Sequence, residues 1–193
     1  MACFLSYKHL HGHLRGRAMG KPIVRAAQRE DIPAITAIYR PAVLHGTASF
    51  ELEPPTEDEM ARRYEAITGG GFPYIVAEVD DTVVGYGYVN AFRPRPAYRF
   101  SIENSVYIAP EQQGKGIGRI LLDALIRISA AHGYRQMVAI IGDSNQRASI
   151  GLHRALGFTF AGTIHSAGFK HGRWLDIVMM QRSLGDGDTT PPR

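Results

Sequence analysis

A short glycine-rich segment near the middle of the chain has residue types and spacing that indicate chemistry. Gly114, Gly116 and Gly118 alternate with Lys115 and Ile117, and apolar residues then recur at helical spacing. The glycines therefore stand at the amino end of a predicted helix, where N–H groups are unpaired and the helix dipole is positive. Because glycine has no Cβ atom, an anion can approach this backbone closely. The segment predicts a binding site for a pyrophosphate or a similar anion.

Two common phosphate loops do not match this segment. The Walker pattern requires Ser or Thr after its Lys, but Lys115 is followed by Gly116. The dinucleotide pattern requires G-x-G-x-x-G, and Gly118 comes one residue too early to be its third glycine. A glycine-rich turn without a ligand remains an alternative on this motif alone.

A basic cluster upstream of the glycines lies in a proline-containing loop. Arg93, Arg95, Tyr98 and Arg99 fall within seven residues. Guanidinium groups bind carboxylate or phosphinate oxygens through two parallel hydrogen bonds. The loop therefore predicts a site for an anionic substrate, with a solvated basic loop as the alternative.

The elements that position these clusters follow the order strand, two helices, three strands, helix, strand, helix, two strands. Strands are predicted at residues 23–26, 74–78, 82–91, 105–108, 137–141, 159–167 and 174–182. Helices are predicted from residue 29, at residues 56–68 and 117–132, and from a cap at residues 143–145 to residue 156. Thr56 and Glu59 indicate a capping box. The uninterrupted apolar run at 137–141 favours a central parallel strand beside residues 106–108.

The composition is typical of one globular domain. An apolar content of 45% over 193 residues, without repeats, supports a single core, which we place at residues 22–184 with a polar tail at 185–193. No apolar run approaches the ~18 residues of a membrane helix. The lone Cys3 excludes an internal disulfide, so a reducing, cytoplasmic location is the default expectation.

Residues 1–18 differ from the rest and predict a disordered extension. A presequence is an alternative, although the apolar region of a secretory signal is missing. Its alternating histidines, His9, His11 and His13, are a further alternative as metal ligands. Without this segment the chain loses three of its 22 Lys and Arg residues and none of its 18 acids, so the basic balance favours nucleic acid only weakly.

Several segments together carry a resemblance to a known family. The residues from Gln113 to Gly118 match Q/R-x-x-G-x-G/A, the acyl-CoA pyrophosphate loop of the GNAT acetyltransferase superfamily. Over roughly residues 22–184 the chain resembles the phosphinothricin acetyltransferase group. The segments are Ser49-Phe50-Glu51, Glu103-Asn104-Ser105-Val106-Tyr107-Ile108, Ile141-Gly142-Asp143-Ser144-Asn145, His153-Arg154-Ala155-Leu156-Gly157-Phe158 and Gly168-Phe169-Lys170-His171-Gly172-Arg173-Trp174.

The resemblance implies an α/β, single-domain GNAT fold, with a mixed central β-sheet flanked by helices and a splayed parallel strand pair that holds acyl-CoA. It implies acetyl-CoA as co-substrate, with a backbone N–H of the central strand polarising the thioester carbonyl. The expected cofactor-binding residues are Val106, Tyr107, Ile108, Gln113, Gly114, Lys115, Gly116, Ile117, Gly118, Arg119 and Asn145. Asn145 is equally interpreted as a helix cap.

The resemblance also implies catalytic groups, because an amine attacks only after losing a proton. Glu103, on the central strand, is expected to be the base, with a solvated strand-end carboxylate as the alternative. His153 stands where many GNAT enzymes have a tyrosine, and is expected to donate or relay a proton to the leaving thiolate. A histidine on the helix surface is its alternative.

The implied substrate is the amine of a small amino acid analogue of the phosphinothricin, methionine sulfoximine or methionine sulfone type. Its expected binding residues are Phe50, Glu51, Arg93, Arg95, Tyr98 and Ser105. Arg93 departs from the lysine of the herbicide-detoxifying members, which leaves the particular anion open. No metal is expected.

A homodimer is implied, with residues 169–174 at or near its interface. Three other functions compete with this one: a protein or peptide N-terminal acetyltransferase, a catalytically silent acyl-CoA sensor, and, most weakly, a nucleic-acid-binding protein. Neither a membrane nor a nucleic acid is expected as a partner.

Overall fold

A computed structural model describes residues 20–192, which form one seven-stranded mixed sheet with helices on both faces. The predicted extension at residues 1–18, with its three histidines, lies outside these residues. The strands are β1 (Ile23–Ala26), β2 (Tyr74–Val79), β3 (Thr82–Ala91), β4 (Ser101–Ile108), β5 (Gln136–Gly142), β6 (Thr159–Lys170) and β7 (Arg173–Ser183). The helices are α1 (Ile32–Leu44), α2 (Glu57–Gly69), α3 (Ile117–Ala131) and α4 (Arg147–Ala155). The predicted order of elements is confirmed, and within the described part no helix is long and apolar enough to cross a membrane.

Two apolar cores lie on the two faces of the sheet. One is formed with α3, whose Leu121 and Leu125 are fully buried because they share its apolar stripe. The other is formed with α1 and α2, and contains Ile35 and Tyr86. The strands in order are β1-β2-β3-β4-β5-β7-β6, so β4 and β5 are central and β6 is an edge.

The β2–β3 turn and the start of α2 have the local structure that their residues favour, except that the capping box of α2 is only half formed. Asp80 and Asp81 have φ angles of 48° and 59° and join β2 to β3, as a two-residue hairpin turn requires. Thr56 caps α2 by accepting a hydrogen bond from the Glu59 N–H at 3.2 Å. The Glu59 side chain does not complete the capping box, because it pairs with Arg62 and Arg63 instead.

The predicted cap of α4 at residues 143–145 is wrong, because the residue before the helix is Gln146. The helix begins at Arg147, so Asn145 is not its cap. Asp143 takes a left-handed φ of 72°, and its carboxylate accepts from the Asn145 N–H at 3.1 Å and pairs with Arg173. The short polar side chain of Asp143 therefore stabilises a turn before the helix rather than the first turn of the helix.

The central strand pair separates along its length. β4 and β5 are parallel, but they pair only from Ser101 with Gln136 to Asn104 with Ala139. β4 then continues to Ile108 on its pairing with β3, while β5 continues to Gly142 on its pairing with β7. The prediction that β5 lies beside residues 106–108 is therefore corrected to residues 101–104, and the splay of the two strands is confirmed.

Candidate active site

The separated strand ends open a cleft of about 770 Å³. Its walls are the unpaired half of β4, the end of β5, the glycine-rich loop and the inner face of α4. Eleven of the predicted site residues line it: Ser105, Val106, Tyr107, Ile108, Gln113, Gly114, Gly116, Ile117, Gly118, Arg119 and His153. The fold therefore brings the glycines, the splayed strand and the predicted proton donor to one space.

The glycine-rich loop has an open backbone at the amino end of α3. Gly114 and Gly116 have φ angles of 75° and 85°, and Gly116 is the residue that caps the helix. Among residues 20–192, no acceptor is found for the backbone N–H groups of Gly116, Ile117 and Gly118. Since these groups are unpaired at the positive end of a helix, the loop fits a pyrophosphate. Lys115 donates to the Gln112 side chain at 3.1 Å, and Gln112 lines the same cleft.

The unpaired stretch of β4 has a free edge to which an extended chain can pair as a further strand. Residues 105–108 are bonded to β3 on one side only, so their other edge faces the cleft. The side chains of Val106 and Ile108 pack against the α3 core, as ordinary core residues do. Because the backbone edge is left free, this strand fits an extended, amide-containing chain such as pantetheine.

Glu103 and His153 lie on opposite faces of β4, because side chains alternate along a strand. Tyr107 packs in the core beside α1 and α2, so Glu103, four residues earlier, lies on that face. Val106 packs in the α3 core, so Asn104, which contacts His153, lies on the other. The two predicted proton-transfer groups therefore approach the splay from its two sides.

Glu103 is a half-buried carboxylate on the face of β4 that packs toward α1 and α2. Burial raises its pKa, and the charge of Arg93 acts in the opposite direction. Within residues 20–192 it makes no hydrogen bond or ion pair, and its neighbour Ser105 lies opposite Tyr88 of β3. A carboxylate with a raised pKa and no bonded partner is suited to accept a proton.

His153 is buried, 5% exposed, against the floor of the cleft. Its Nδ1 lies 2.8 Å from the Ser149 carbonyl oxygen and its Nε2 lies 3.0 Å from Nδ2 of Asn104. Burial lowers its pKa, and the hydrogen bond to the Ser149 carbonyl opposes this. This burial excludes the alternative of a histidine on the helix surface, and the lowered pKa favours the neutral ring.

The wall formed by residues 46–51 is fixed by contacts from distant elements. The Phe50 ring lies against Gly142 and Gly168, where an added Cβ atom would come within 2.7 Å and 2.3 Å of it. The buried Lys170 donates to the Ser49 carbonyl oxygen at 2.7 Å. Glu51 accepts from Arg63 of α2 at 2.7 Å. These contacts hold Phe50 and Glu51 in one arrangement outside the cleft.

The arginines of the upstream loop differ from one another in their surroundings. Arg93 lies over the Phe92 ring at 4.6 Å, and its charge reaches Glu103. Tyr98 contacts the same ring edge-on, with centroids 5.9 Å apart. Both Arg93 and Arg95 are exposed, but the charge of Arg95 is not among the causes that shift the pKa of Glu103. Of these two arginines, Arg93 is therefore the one whose charge acts on Glu103.

Eight of the predicted site residues do not line the cleft: Phe50, Glu51, Arg93, Arg95, Tyr98, Glu103, Lys115 and Asn145. Glu103 directly precedes the lining residues of β4, and Phe50 and Glu51 belong to the wall described above. Asn145 is exposed, and its backbone N–H is held by Asp143.

Sequence reasoning missed three residues that the fold brings to the site. Asn104 and Lys170 belong to segments that carry the family resemblance, but no role was predicted for them, and Arg63 lies within the predicted helix at residues 56–68. An asparagine inside an otherwise apolar strand was a usable signal, because a buried amide requires partners. Lys170 and Arg63 offered no local signal, since exposed lysines and arginines are common.

Comparison with known proteins assigns the family. The Acetyltransferase (GNAT) domain matches residues 24–179. The chain belongs to the GNAT acetyltransferase family. It is 52% identical over 169 residues to a phosphinothricin N-acetyltransferase of Alcaligenes faecalis, covering 88% of this chain and 86% of that one. It is 40% identical over 163 residues to an L-methionine sulfoximine/L-methionine sulfone acetyltransferase of Salmonella typhimurium, covering 84% and 95%.

A solved structure gives the same result for this GNAT enzyme. The phosphinothricin acetyltransferase of Sinorhizobium meliloti, determined in complex with AcCoA, superimposes with a TM-score of 0.87 at 50% identity. The match covers 89% of this chain and 93% of that one. The predicted GNAT fold, the acetyltransferase activity and the resemblance to the phosphinothricin acetyltransferase group are confirmed.

Proposed function

We propose that this GNAT enzyme transfers an acetyl group from acetyl-CoA directly to the amine of a small amino acid analogue of the phosphinothricin, methionine sulfoximine or methionine sulfone type. One observation supports this function most strongly: β4 separates from β5 after Asn104, and the glycine loop stands at the mouth of the opening. The relatives named above act on such analogues, which supports the choice of acceptor.

Acetyl-CoA fits the residues present on two counts, the free edge of residues 105–108 and the unpaired N–H groups at the start of α3. When bound, it supplies the acetyl group as an activated thioester. Residues 114–119 hold the pyrophosphate, and the β4 edge orients the pantetheine arm. Asn145 is proposed as a further contact with the pantetheine or phosphate region of the cofactor.

Glu103 takes the proton of the substrate ammonium group on its own side of β4. Its raised pKa makes it a better proton acceptor than an ordinary glutamate. Ser105 and the wall of Phe50 and Glu51 border the same side. Arg93, with Arg95 and Tyr98, binds the acidic group of the substrate through its guanidinium fork.

We also propose a homodimer. Four exposed large apolar residues lie on the edge strand β6 and its partner β7: Phe160, Ile164, Phe169 and Trp174. Phe169 and Trp174 are 57% and 62% exposed and their rings contact each other at 5.5 Å. A patch of this kind on an edge strand is suited to a partner subunit.

A cytoplasmic location is proposed on the absence of disulfide-forming cysteine pairs in the sequence.

A thiol-release assay with acetyl-CoA tests the function over a panel of phosphinothricin, methionine sulfoximine, methionine sulfone, ordinary amino acids and peptides. We expect turnover of one or more of the three analogues and little with peptides. Preferred turnover of peptides would favour an N-terminal acetyltransferase instead. Acetyl-CoA binding without thiol release for any amine would favour a silent acyl-CoA sensor.

A further inference from the structure

Asn104 and His153 form a buried polar pair at the base of the splay. They are 6% and 5% exposed, and both border the cleft. Asn104 is the last residue of β4 that pairs with β5, so its side chain sits where the two strands begin to separate. Their side-chain nitrogens, Nδ2 of Asn104 and Nε2 of His153, are 3.0 Å apart.

The state of the His153 ring follows from its other neighbour. A carbonyl oxygen only accepts hydrogen bonds, so Nδ1, 2.8 Å from the Ser149 oxygen, carries the proton. In the neutral ring Nε2 is then an acceptor, and Asn104 must present its Nδ2–H group to it. His153 in this state has no proton at Nε2 to give to a leaving thiolate.

The amide orientation leaves Asn104 Oδ1 without a donor. Among the described residues only three buried side-chain polar atoms lack a partner, and Oδ1 is the one that belongs to the cleft. Buried acceptors are rarely left unpaired. A protonated ring carries N–H at both nitrogens. A half-turn of the amide about its Cβ–Cγ bond would then pair Oδ1 with Nε2–H and leave the contact with Ser149 unchanged.

We propose that Asn104 is the positioning residue that lets His153 take up and release a proton at Nε2. Its amide donates through Nδ2 to the neutral ring and, turned over, accepts through Oδ1 from the protonated ring. As the amide turns, its hydrogen bond to Nε2 breaks, and Nε2 then takes the proton that the attacking amine loses as the C–N bond forms. When the amide turns back, the Nε2–H bond to Oδ1 breaks, and the proton goes to the sulfur as the C–S bond breaks. The other ammonium proton goes to Glu103. This role rests on the proposed acetyl transfer.

No charged group of the described residues stabilises the protonated His153 ring, so the Asn104 amide is the group that can respond to its change of protonation. Its polar and aromatic contacts within the described residues are with Ser149 of the same helix, Asn104 of β4 and the Phe158 ring, 4.9 Å away and edge-on, and none of these groups is charged. No charged side chain of residues 20–192 contributes to the pKa of His153, which burial lowers and the Ser149 carbonyl raises.

Nitrogen NMR of the His153 ring in the free enzyme tests the proposal without turnover. We expect Nδ1 protonated and Nε2 unprotonated at neutral pH, and both protonated in acid. The side-chain amide of Asn104 should titrate with the same midpoint as the ring, because it turns over. An Nε2-protonated ring at neutral pH, or an amide that does not follow the ring, would overturn the proposal.

Two variants add a functional readout. Asn104→Asp can only accept when ionised, so the ring should protonate at higher pH, and the limb of the kcat profile that reports His153 should move the same way. Asn104→Leu supports neither state. Its kcat should fall, by at most the roughly 10²- to 10⁴-fold that a positioned acid–base group supplies. Asn104→Ser, whose hydroxyl donates or accepts, should retain more of kcat than Asn104→Leu.

The matched control is Ser129→Ala, which removes another buried, unpaired polar atom from α3, away from the cleft. It should leave both the ring titration and the pH profile unchanged. If Asn104→Asp folds and the His153 titration does not move, the proposal is wrong. If Asn104→Asp does not fold, the wild-type titration and the comparison of Asn104→Ser with Asn104→Leu decide. Failure of the wild type to acetylate any amine would refute the proposed function, whereas the NMR result would still decide the state of the pair.

Discussion

Glu103→Gln separates the two possible roles of the carboxylate on the substrate side of β4. The change keeps the shape and removes the charge. No hydrogen bond or ion pair to the rest of the described chain is lost, and the half-buried site favours a neutral group. The variant should therefore unfold at or above the wild-type temperature, so that any loss of activity belongs to the chemistry.

If Glu103 is the base, the maximal rate at saturating amine should fall roughly 10²- to 10⁴-fold, which is about 2.7 to 5.4 kcal/mol of activation free energy. Acetyl-CoA affinity should not change, because no phosphate or pantetheine contact is assigned to this residue. The assay is thiol release with the amine varied at saturating acetyl-CoA. A near wild-type maximal rate with a raised KM for the amine would refute the base and leave Glu103 as a group that positions the ammonium.

The pH profile tests the same residue in the intact site. Burial raises the pKa of Glu103 and the charge of Arg93 lowers it, with burial the larger cause. The base works only when ionised, so activity is lost as the pH falls through that raised pKa. Arg93→Gln removes the opposing charge, and the acidic limb of kcat should move to higher pH. Arg95→Gln is the control, and a limb that moves equally in both variants would contradict the assignment.

Three further predictions concern the other parts of the site. Gly116→Val should weaken acetyl-CoA binding strongly in a calorimetric titration, whereas Gly133→Val, at a position with the same φ of 85° but outside the cleft, should leave it unchanged. Lys170→Met removes a charge-assisted hydrogen bond to the Ser49 carbonyl oxygen, worth ~1.5–3 kcal/mol, so KM for the amine should rise while the acetyl-CoA Kd is unaltered. Equal KM values in the variant and the wild type would show that this bond is not needed to position residues 46–51. Trp174→Ser should reduce the mass in light scattering from dimer to monomer, while Leu52→Ser, at an equally exposed apolar residue outside the patch, should not.

Most of the fold was predictable because the signals are local. The stripe of α3 and the alternation along β3 are carried by neighbouring residues, and both elements were predicted at or within one residue of their observed bounds. The start of α4 was not, because a polar residue before a helix can stabilise either the helix or a turn. Asp143 stabilises the turn because its carboxylate pairs with Arg173, which lies thirty residues away in the chain.

By itself, the sequence determined the order of elements, the anion loop at the start of α3 and the chemical types of the candidate groups, since each depends on residues close together in the chain. Only the tertiary structure decided where those groups meet. Asn104 and His153 are 49 residues apart and Ser49 and Lys170 are 121 residues apart, so both contacts arise only when distant parts of the chain pack together. The opening between these two strands has the same origin: no residue pattern within either strand ends their pairing at Asn104, which is set by β3 holding one strand and β7 the other.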